Sequence, residues 1–232
     1  MTNTGISPTS GVLLAGGAGA RLGLGPKALL PFRGRTLVEE LAAVLLDGGC
    51  CEVVVVLGAG AKEIRRTTDL SPYLVVENPD WASGMAGSFK AGVGAASAGH
   101  DVLVALVDQP GLTPAVVARL LAAHRSGRVT AAGYPEDPFT GRTRLRRGHP
   151  LIIDAGLRAE VAASAVGDAG ARGFLKAHPG LVDVVDCGDL ADGADVDTKA
   201  QLPLLGLSQE EVISRAQAIS PEQARARHHG RA

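Results

Sequence analysis

Residues 11–32 read GVLLAGGAGARLGLGPKALLPF, and this stretch decides how the rest of the sequence is interpreted. It opens with a short apolar run over Val12–Ala15, which predicts a buried strand. Five glycines follow within residues 16–25, accompanied by the cations Arg21 and Lys27. Backbone N–H groups in such a loop bind anions, and nearby cations neutralise phosphate charge. The stretch therefore predicts a loop that wraps the phosphates of a nucleotide.

The composition excludes several classes of protein. The 232 residues are 46% hydrophobic and 20% charged, which provides apolar material for a core and argues against a disordered chain. The formal net charge is −1, so no overall field attracts nucleic acid or a membrane surface. The three cysteines lack metal-type spacing. Without a signal peptide or a membrane-spanning apolar run, we expect a cytoplasmic protein with no nucleic acid and no membrane partner.

Strand-like apolar runs alternate with helix-like segments along the chain, which predicts an α/β protein with a mostly parallel sheet. Strands are predicted over residues 12–15, 52–57, 74–77, 102–107, 129–132, 151–153 and 181–185. Helices are predicted over residues 36–47, 85–98 and 114–124, the last with Thr113 as its N-cap. Ligands bind beyond the carboxyl ends of parallel strands, so the Gly-rich loop and Asp108 should be neighbours.

The chain divides into three predicted regions. Residues 1–10 form a flexible N-terminus, and residues 11–207 form one nucleotide-binding domain. From residue 208 the sequence becomes polar and ends in Arg and His, which predicts a solvated C-terminal tail over residues 208–232.

Three types of nucleotide-binding loop are candidates for the Gly-rich stretch. A Walker P-loop needs Gly-Lys-Ser/Thr, whereas Lys27 lies between Pro and Ala, so that motif is rejected. The dinucleotide fingerprint fits Gly17 and Gly19 only, because Leu22 occupies its third glycine position. The acid that would bind a ribose is also missing after Leu57. The third type, a nucleotidyltransferase loop, fits the glycines together with both cations, while an ordinary Gly-rich turn remains the simplest alternative.

The stretch LAGGAGARLGLGPKALLPF resembles the signature of the MobA-like NTP transferases, which attach a nucleotide to molybdopterin. Further segments resemble, in the same order, motifs of the family's cytidylyltransferase branch, MocA. These are NPDWASGMAGS at 78–88, DQP at 108–110, GHP at 148–150, GDAGAR at 167–172 and DVDT at 195–198. The resemblance covers about residues 11–205. It implies a three-layer, Rossmann-like nucleotidyltransferase fold, α/β with a mostly parallel central sheet.

The resemblance also implies a reaction. A phosphorylated acceptor, molybdopterin being expected, attacks the α-phosphorus of an NTP and releases pyrophosphate. Catalysis of this kind depends on positioning and charge stabilisation. Lys27 and Arg21 would contact the phosphates, and Asp108 and Asp197 would hold Mg²⁺, which prefers oxygen ligands. Asp195 lies close enough in sequence to be confused with Asp197, and Asp197 could instead cap a helix.

The remaining site residues follow from the same motifs. The nucleotide-binding set implied by the resemblance is Leu14, Ala15, Gly16, Gly17, Gly19, Arg21 and Lys27. The substrate-binding set is Gly84, Gly87, Ser88, His149 and Arg172. Arginines at 142, 144, 146 and 147 either bind an acceptor phosphate or form a solvated basic loop.

Base specificity and reaction class stay open at this point. The loop entrance Leu14–Gly17 reads LAGG and resembles the guanylyl branch, whereas the NPDWASGM and GHP segments resemble the cytidylyl branch. CTP is therefore favoured, with GTP as the alternative. Two other classes also fit: an NAD(P)H-dependent oxidoreductase that uses the same crevice without Mg²⁺, and a non-catalytic carrier that delivers molybdenum cofactor to a molybdoenzyme.

Overall fold

A computed structural model of the chain describes residues 7–136 and 144–206, with residues 208, 210–212 and 214. Its main element is a seven-stranded sheet, ordered β5-β4-β1-β6-β8-β7-β9. The strands of this sheet are β1 Thr9–Ala15, β4 Glu52–Leu57, β5 Leu74–Glu77, β6 Asp101–Leu106, β7 Val129–Pro135, β8 Leu145–Ile153 and β9 Val182–Asp186. Two short strands, β2 Pro31–Phe32 and β3 Arg35–Thr36, pair separately as a hairpin.

Among the described residues, six named α-helices accompany the sheet. They are α1 Leu37–Asp47, α2 Ala61–Thr67, α3 Met85–Ala95, α4 Pro114–Ala123, α5 Arg158–Ser164 and α6 Arg172–Ala177. Within the described ranges, none of the helices combines the length and apolar character needed to cross a membrane.

The sheet is buried on both faces, which makes the architecture three-layered. Leu13 of β1 belongs to a core that includes Leu41 of α1 and Leu120 of α4. Val12, which precedes Leu13 in β1, belongs to the core on the other face of the sheet, together with Phe89 of α3. Strands covered on both sides read as continuous apolar runs. The predicted three-layer α/β fold with a mostly parallel central sheet is therefore confirmed.

Local sequence signals account for the starts of α1 and α4. Thr36 and Glu39 form a reciprocal capping box at the start of α1. The Thr113 side chain accepts from the backbone N–H of Val116 and caps α4, as the sequence predicts. The predicted ends are less accurate, since α3 stops at Ala95 rather than at residue 98. The first strand begins at Thr9, inside the region predicted to be a flexible N-terminus.

The direction of β8 departs from a fully parallel sheet. This strand runs antiparallel to both β6 and β7. Only nine residues separate β7 from β8. A parallel connection needs a crossover of a dozen or more residues, so two strands this close in sequence pair as a hairpin. The result is a mostly parallel sheet with one reversed strand.

The parallel core strands place the Gly-rich loop and Asp108 side by side. Leu14 of β1 pairs with Leu106 of β6, so these strands end level with one another. The loop leaves the end of β1, and Asp108 lies two residues beyond the end of β6. The strand ends therefore define the edge of the sheet where a ligand would bind.

We expect opposite effects from alanine at two glycines of α3. A Cβ at Gly92 would lie 2.8 Å from Cγ2 of Val56, so Gly92→Ala overpacks the helix–sheet contact. A Cβ at Gly94 meets no atom within 4 Å. Gly92→Ala should lower the free energy of unfolding by about 1–3 kcal/mol, and Gly94→Ala should raise it by about 0.5–1 kcal/mol. Urea denaturation measures both, and equal effects would contradict the packing described here.

Candidate functional site

Lys27 lies at the centre of a cluster of four charged side chains. Its Nζ donates a hydrogen bond to Oδ2 of Asp108 at 2.8 Å and another to Oδ1 of Asp197. Nη2 of Arg21 donates to Oδ2 of Asp197 at 3.0 Å. The Lys27 side chain is 11% exposed and that of Arg21 is 75% exposed, so the lysine provides the buried contacts. Two cations thus balance two carboxylates.

Burial and neighbouring charges shift the pKa of Lys27 in opposite directions. Burial alone lowers the pKa of its ammonium, but the hydrogen bonds and charges of Asp108 and Asp197 raise the pKa above its ordinary value. The hydrogen bond from Lys27 is the largest cause that lowers the pKa of Asp197. At neutral pH the pair is therefore an ammonium and a carboxylate.

Asp108 retains an oxygen with no partner. Its Oδ1 is buried and accepts no hydrogen bond from the described residues. A buried carboxylate oxygen is costly without a donor or a cation, so this atom is available to a bound ligand or metal ion. The backbone also fixes the position of Asp108, because its carbonyl oxygen accepts from the N–H of Val196 at 2.8 Å. That contact brings the segment around Asp197 to the end of β6.

Asp195 and Asp197 have different hydrogen-bond partners in the structure. Oδ1 of Asp195 accepts a hydrogen bond from Nε2 of Gln109 at 2.8 Å. Burial, with the charges of Asp108 and Asp197, raises the pKa of Asp195. Lys27 bonds to Asp197 and to Asp108, so Asp197 is the carboxylate that shares the cation.

The Gly-rich loop leaves several donors free. Among the described residues, the N–H groups of Gly17, Ala18 and Gly19 find no hydrogen-bond acceptor. The loop then folds on itself, because the N–H groups of Leu22 and Gly23 both donate to the carbonyl oxygen of Gly19 at 3.0 Å. Free, adjacent N–H groups of this kind form an anion-binding nest.

The loop does not have the architecture of the dinucleotide fingerprint. That motif places the pyrophosphate at the N-terminus of a helix directly after the loop. Here a single 3₁₀ turn over Lys27–Leu29 and the β2–β3 hairpin follow, and α1 begins only at Leu37. A nucleotide at this loop would therefore contact backbone N–H groups and Lys27 rather than a helix end.

A nearby loop occupies the N-terminus of α3. The N–H of Met85 donates to Oδ1 of Asp168 at 3.2 Å, and the N–H of Ala86 donates to the carbonyl oxygen of Gly167 at 2.8 Å. A Cβ at Gly84, where φ is 119°, would lie 2.6 Å from that carbonyl oxygen. The first N–H groups of α3 are therefore already paired and are not free for an anionic substrate.

Two adjoining cavities meet at Lys27 and Asp108. The first has a volume of about 320 Å³, lies along the Gly-rich loop and is mainly apolar; Leu14, Gly16, Gly17, Trp81, Met85 and Ser88 are among its lining residues. The second has a volume of about 530 Å³ and is rich in charged groups; Arg21, Arg146, Arg147, His149, Arg172 and Asp197 are among its lining residues. Two neighbouring cavities suit a reaction with two substrates.

Some predicted site residues line neither cavity. Ala15 is fully buried in the core, and Gly19 lies where a Cβ would clash with the carbonyl oxygen of Gly25. Gly87 packs against Asn78, whose Nδ2 donates to Oγ of Ser88 at 3.0 Å. Ala15 and Gly87 therefore shape the strand and the helix, and Gly19 shapes the loop and could contact a ligand only through its backbone N–H.

The arginines of the predicted basic loop separate into two groups. Arg146 and Arg147 lie on β8 and reach the second cavity because β8 is reversed in the sheet. Arg144 is 82% exposed and pairs with Glu136 at 3.5 Å. Arg142 lies outside the described residues.

His149 and Asp168 complete the second cavity. Burial, with a smaller contribution from the Arg172 charge, lowers the pKa of His149 to about 4, against the opposing charge of Asp108. His149 is therefore neutral at pH 7. Asp168 lines both cavities, and sequence reasoning did not select it. The only signal was its position within the GDAGAR segment.

Comparison with known proteins identifies the family to which the chain belongs. The model of the MobA-like NTP transferase domain matches residues 11–182. Nicotine blue oxidoreductase from Paenarthrobacter nicotinovorans is 54% identical over 202 residues, which cover 87% of this chain and 98% of that protein. Molybdenum cofactor guanylyltransferase from Xanthomonas euvesicatoria pv. vesicatoria is 35% identical over 115 residues, which cover 50% of this chain and 54% of that protein.

A solved structure has the same fold. Rv0371c from Mycobacterium tuberculosis H37Rv superposes with a TM-score of 0.73 at 24% identity and covers 88% of this chain and 100% of its own. The same protein in complex with manganese gives a TM-score of 0.65 at 22% identity, covering 82% of this chain and 94% of its own. The resemblance to MobA-like transferases is confirmed at the level of the family, whereas neither relative described here is a cytidylyltransferase.

We expect Lys27→Met to destabilise the protein by about 2–3 kcal/mol at pH 7, because it leaves Asp108 without a cation and Asp197 with the exposed Arg21 alone. Arg21→Met is the matched control and should cost less than about 1 kcal/mol, since Arg21 is largely exposed. Chemical denaturation of both variants measures these costs.

The cost of Lys27→Met should depend on pH. The folded-state pKa of Asp197 is lowered, so its contribution is complete above its ordinary pKa of about 4 and is lost as the pH falls further. The pKa of Lys27 is raised, so its contribution is complete below about pH 10 and is lost as the pH rises through the folded-state value. The stability difference between wild type and Lys27→Met should thus be constant from about pH 5 to 9 and shrink on both sides; a difference that is the same at pH 3 and pH 7 would contradict the ion pair.

Proposed function

The chain belongs to the MobA-like NTP transferase family, and within it we propose that this protein is an NAD(P)H-dependent oxidoreductase whose hydride acceptor is nicotine blue or a closely similar compound. The observation that carries the proposal is the 54% identity to nicotine blue oxidoreductase over 98% of that protein's length. The identity to the guanylyltransferase is lower and covers half of this chain.

The charge balance of the site supports this proposal. Lys27 and Arg21 together already neutralise Asp108 and Asp197. The carboxylates therefore need no additional cation for charge balance. Hydride transfer requires no cation between them, because no pyrophosphate leaves and no phosphoryl group is transferred.

The Gly-rich loop fits the phosphates of a nicotinamide dinucleotide without the usual fingerprint. The free N–H groups of Gly17, Ala18 and Gly19 offer donors to a pyrophosphate. The apolar cavity beside them, with Leu14 and Trp81 in its wall, suits a flat ring system. We therefore place the nucleotide in this first cavity and the acceptor in the arginine-lined one.

A reduced nicotinamide supplies a hydride to the acceptor when it is bound. The residues of the chain then stabilise the negative charge that the acceptor gains. Arg146, Arg147 and Arg172 line the cavity assigned to the acceptor, and the Lys27 ammonium lies where the two cavities meet. Lys27 is the fixed, partly buried cation of this set, and such a group stabilises developing charge without reorganisation.

A second function is favoured by a specific observation, the unpartnered Oδ1 of Asp108. In a nucleotidyltransferase, Asp108 and Asp197 would hold Mg²⁺ after Lys27 moved onto the α-phosphate, and Mg²⁺ would neutralise the leaving pyrophosphate. CTP or GTP would then be the donor and a phosphorylated compound such as molybdopterin the acceptor. This function requires Mg²⁺, and the proposed oxidoreductase does not.

Steady-state kinetics separates the two functions. We expect the protein to oxidise NADPH or NADH with nicotine blue as acceptor, at the same rate with EDTA as with Mg²⁺. Lys27→Met should lower kcat/KM by on the order of 10²-fold, the usual cost of removing one charge-stabilising group. Lys62→Met, which removes an exposed lysine of α2, is the control and should leave the rate unchanged.

The transferase activity is tested on the wild-type protein and the two variants. Each is incubated with CTP or GTP, Mg²⁺ and a molybdopterin-containing extract, and the release of pyrophosphate is measured. Release of pyrophosphate, without any acceptor-dependent oxidation of NADPH or NADH, would overturn the oxidoreductase in favour of the transferase.

A further inference from the structure

A second group of polar side chains lies at the edge of the sheet opposite the two cavities. Asp101 is the first residue of β6, His124 follows the last residue of α4, and Asp154 follows the last residue of β8. Because β8 is reversed, its end meets the beginning of β6. One potential ligand atom from each of the three residues lies within 4.8 Å of the other two.

His124 has a buried nitrogen without a partner. Its side chain is 8% exposed, and its Nδ1 is hydrogen-bonded to Oγ1 of Thr130 at 2.8 Å. Its Nε2 is buried with no hydrogen-bond partner and lies 3.6 Å from Oδ2 of Asp101. When Nδ1 donates to Thr130, the neutral ring directs the Nε2 lone pair towards a carboxylate oxygen. In that tautomer two electron-pair donors face each other in a buried place, an arrangement that a bound cation would satisfy.

The charge of Asp101 supports the same conclusion. Its side chain is 5% exposed, and its Oδ1 accepts from the N–H of Ala155 at 2.8 Å. In the described part of the chain neither Asp101 nor Asp154 forms an ion pair with a lysine or an arginine. The nearby Arg125 and Arg128 both pair with Asp183 instead. Buried carboxylates without a counter-ion are costly unless a metal or a proton compensates them.

We propose that Asp101, His124 and Asp154 form a binding site for one divalent transition-metal ion, with Zn²⁺ as the expected occupant. Two carboxylate oxygens and one imidazole nitrogen are a donor set typical of zinc and similar ions. Each ligand is held by a further contact, His124 by Thr130 and Asp154 by the N–H of Gly156 at 2.8 Å. Such second contacts orient metal ligands in known sites.

The site has a structural role. It joins the beginning of β6, the end of α4 and the end of β8, three segments far apart in sequence, and it lies away from both cavities. The alternative is a proton on Nε2, either as the neutral Nε2–H tautomer with Nδ1 accepting from the Thr130 hydroxyl or as an imidazolium paired with Asp101.

The test is equilibrium dialysis of the metal-stripped full-length chain against Zn²⁺, with Co²⁺ absorption as a second probe. The parent protein carries H228Q and H229Q, which remove the two adjacent histidines near the C-terminus. We expect one tightly bound ion per chain. His124→Gln and Asp154→Asn should each weaken its binding at least about tenfold. Asp154→Asn keeps an oxygen that accepts from Gly156 and therefore preserves the local turn.

Two control variants define the location of the ion. His100→Gln removes a histidine that also lies beside a carboxylate, Glu52, at 3.7 Å. Asp197→Asn removes a carboxylate of the candidate active site. Both should retain the ion with unchanged affinity, and without metal all variants should have the circular dichroism spectrum of the parent. Zn²⁺ should raise the melting temperature of the parent but not that of Asp154→Asn.

Two results would overturn the proposal. One is the absence of bound Zn²⁺ and Co²⁺ in the parent, and the other is equal affinity in the parent, His124→Gln and Asp154→Asn. Nitrogen NMR of His124 distinguishes the metal from the proton, because an Nε2–H signal that persists at saturating Zn²⁺ places a proton, not the metal, on Nε2. Activity towards NADPH is not part of this test, so its outcome is independent of the proposed function.

Discussion

The candidate active site depends on one ammonium group held between two carboxylates. Lys27 bonds to Asp108 and Asp197, which are 81 and 170 residues away in the sequence. The lysine belongs to the loop after β1, Asp108 follows β6, and Asp197 belongs to the segment tied to β6 by the Val196 N–H. Without the ammonium, two carboxylates would meet in a partly buried place, which is unfavourable. The sheet brings Lys27 to the two carboxylates by placing β1 beside β6, and the ammonium compensates their charge.

Much of the fold is predictable because its central strands are buried on both faces. The run EVVVVL over Glu52–Leu57 is recovered with the predicted ends, since a strand inside a three-layer protein has no polar face. The first half of β8 is not recovered. Arg146, Arg147 and His149 are polar and line the second cavity rather than the core, so this half of the strand lacks an apolar pattern. The reversal of β8 follows from the short connection between β7 and β8. A hydrophobic pattern does not predict strand direction.

The candidate site is predictable in its residues but not in its contacts. Lys27, Asp108 and Asp197 follow from the motifs, and the structure brings all three together. The pairing of Asp195 with Gln109 and the filling of the α3 N-terminus by the 167–168 loop depend on loops that meet only in the folded chain. The reaction class is harder still. A phosphate-binding loop next to fixed cations serves hydride transfer and nucleotidyl transfer alike, so these residues alone do not separate the two.

The most direct test of the account is ligand binding with and without a divalent cation. A ligand that binds only the folded state raises the melting temperature by mass action. We expect NADPH or NADH to raise the melting temperature of the wild-type chain in the presence of EDTA, and we expect no larger shift when Mg²⁺ is added. A shift produced by CTP or GTP only when Mg²⁺ is present, with none from either nicotinamide cofactor, would contradict it.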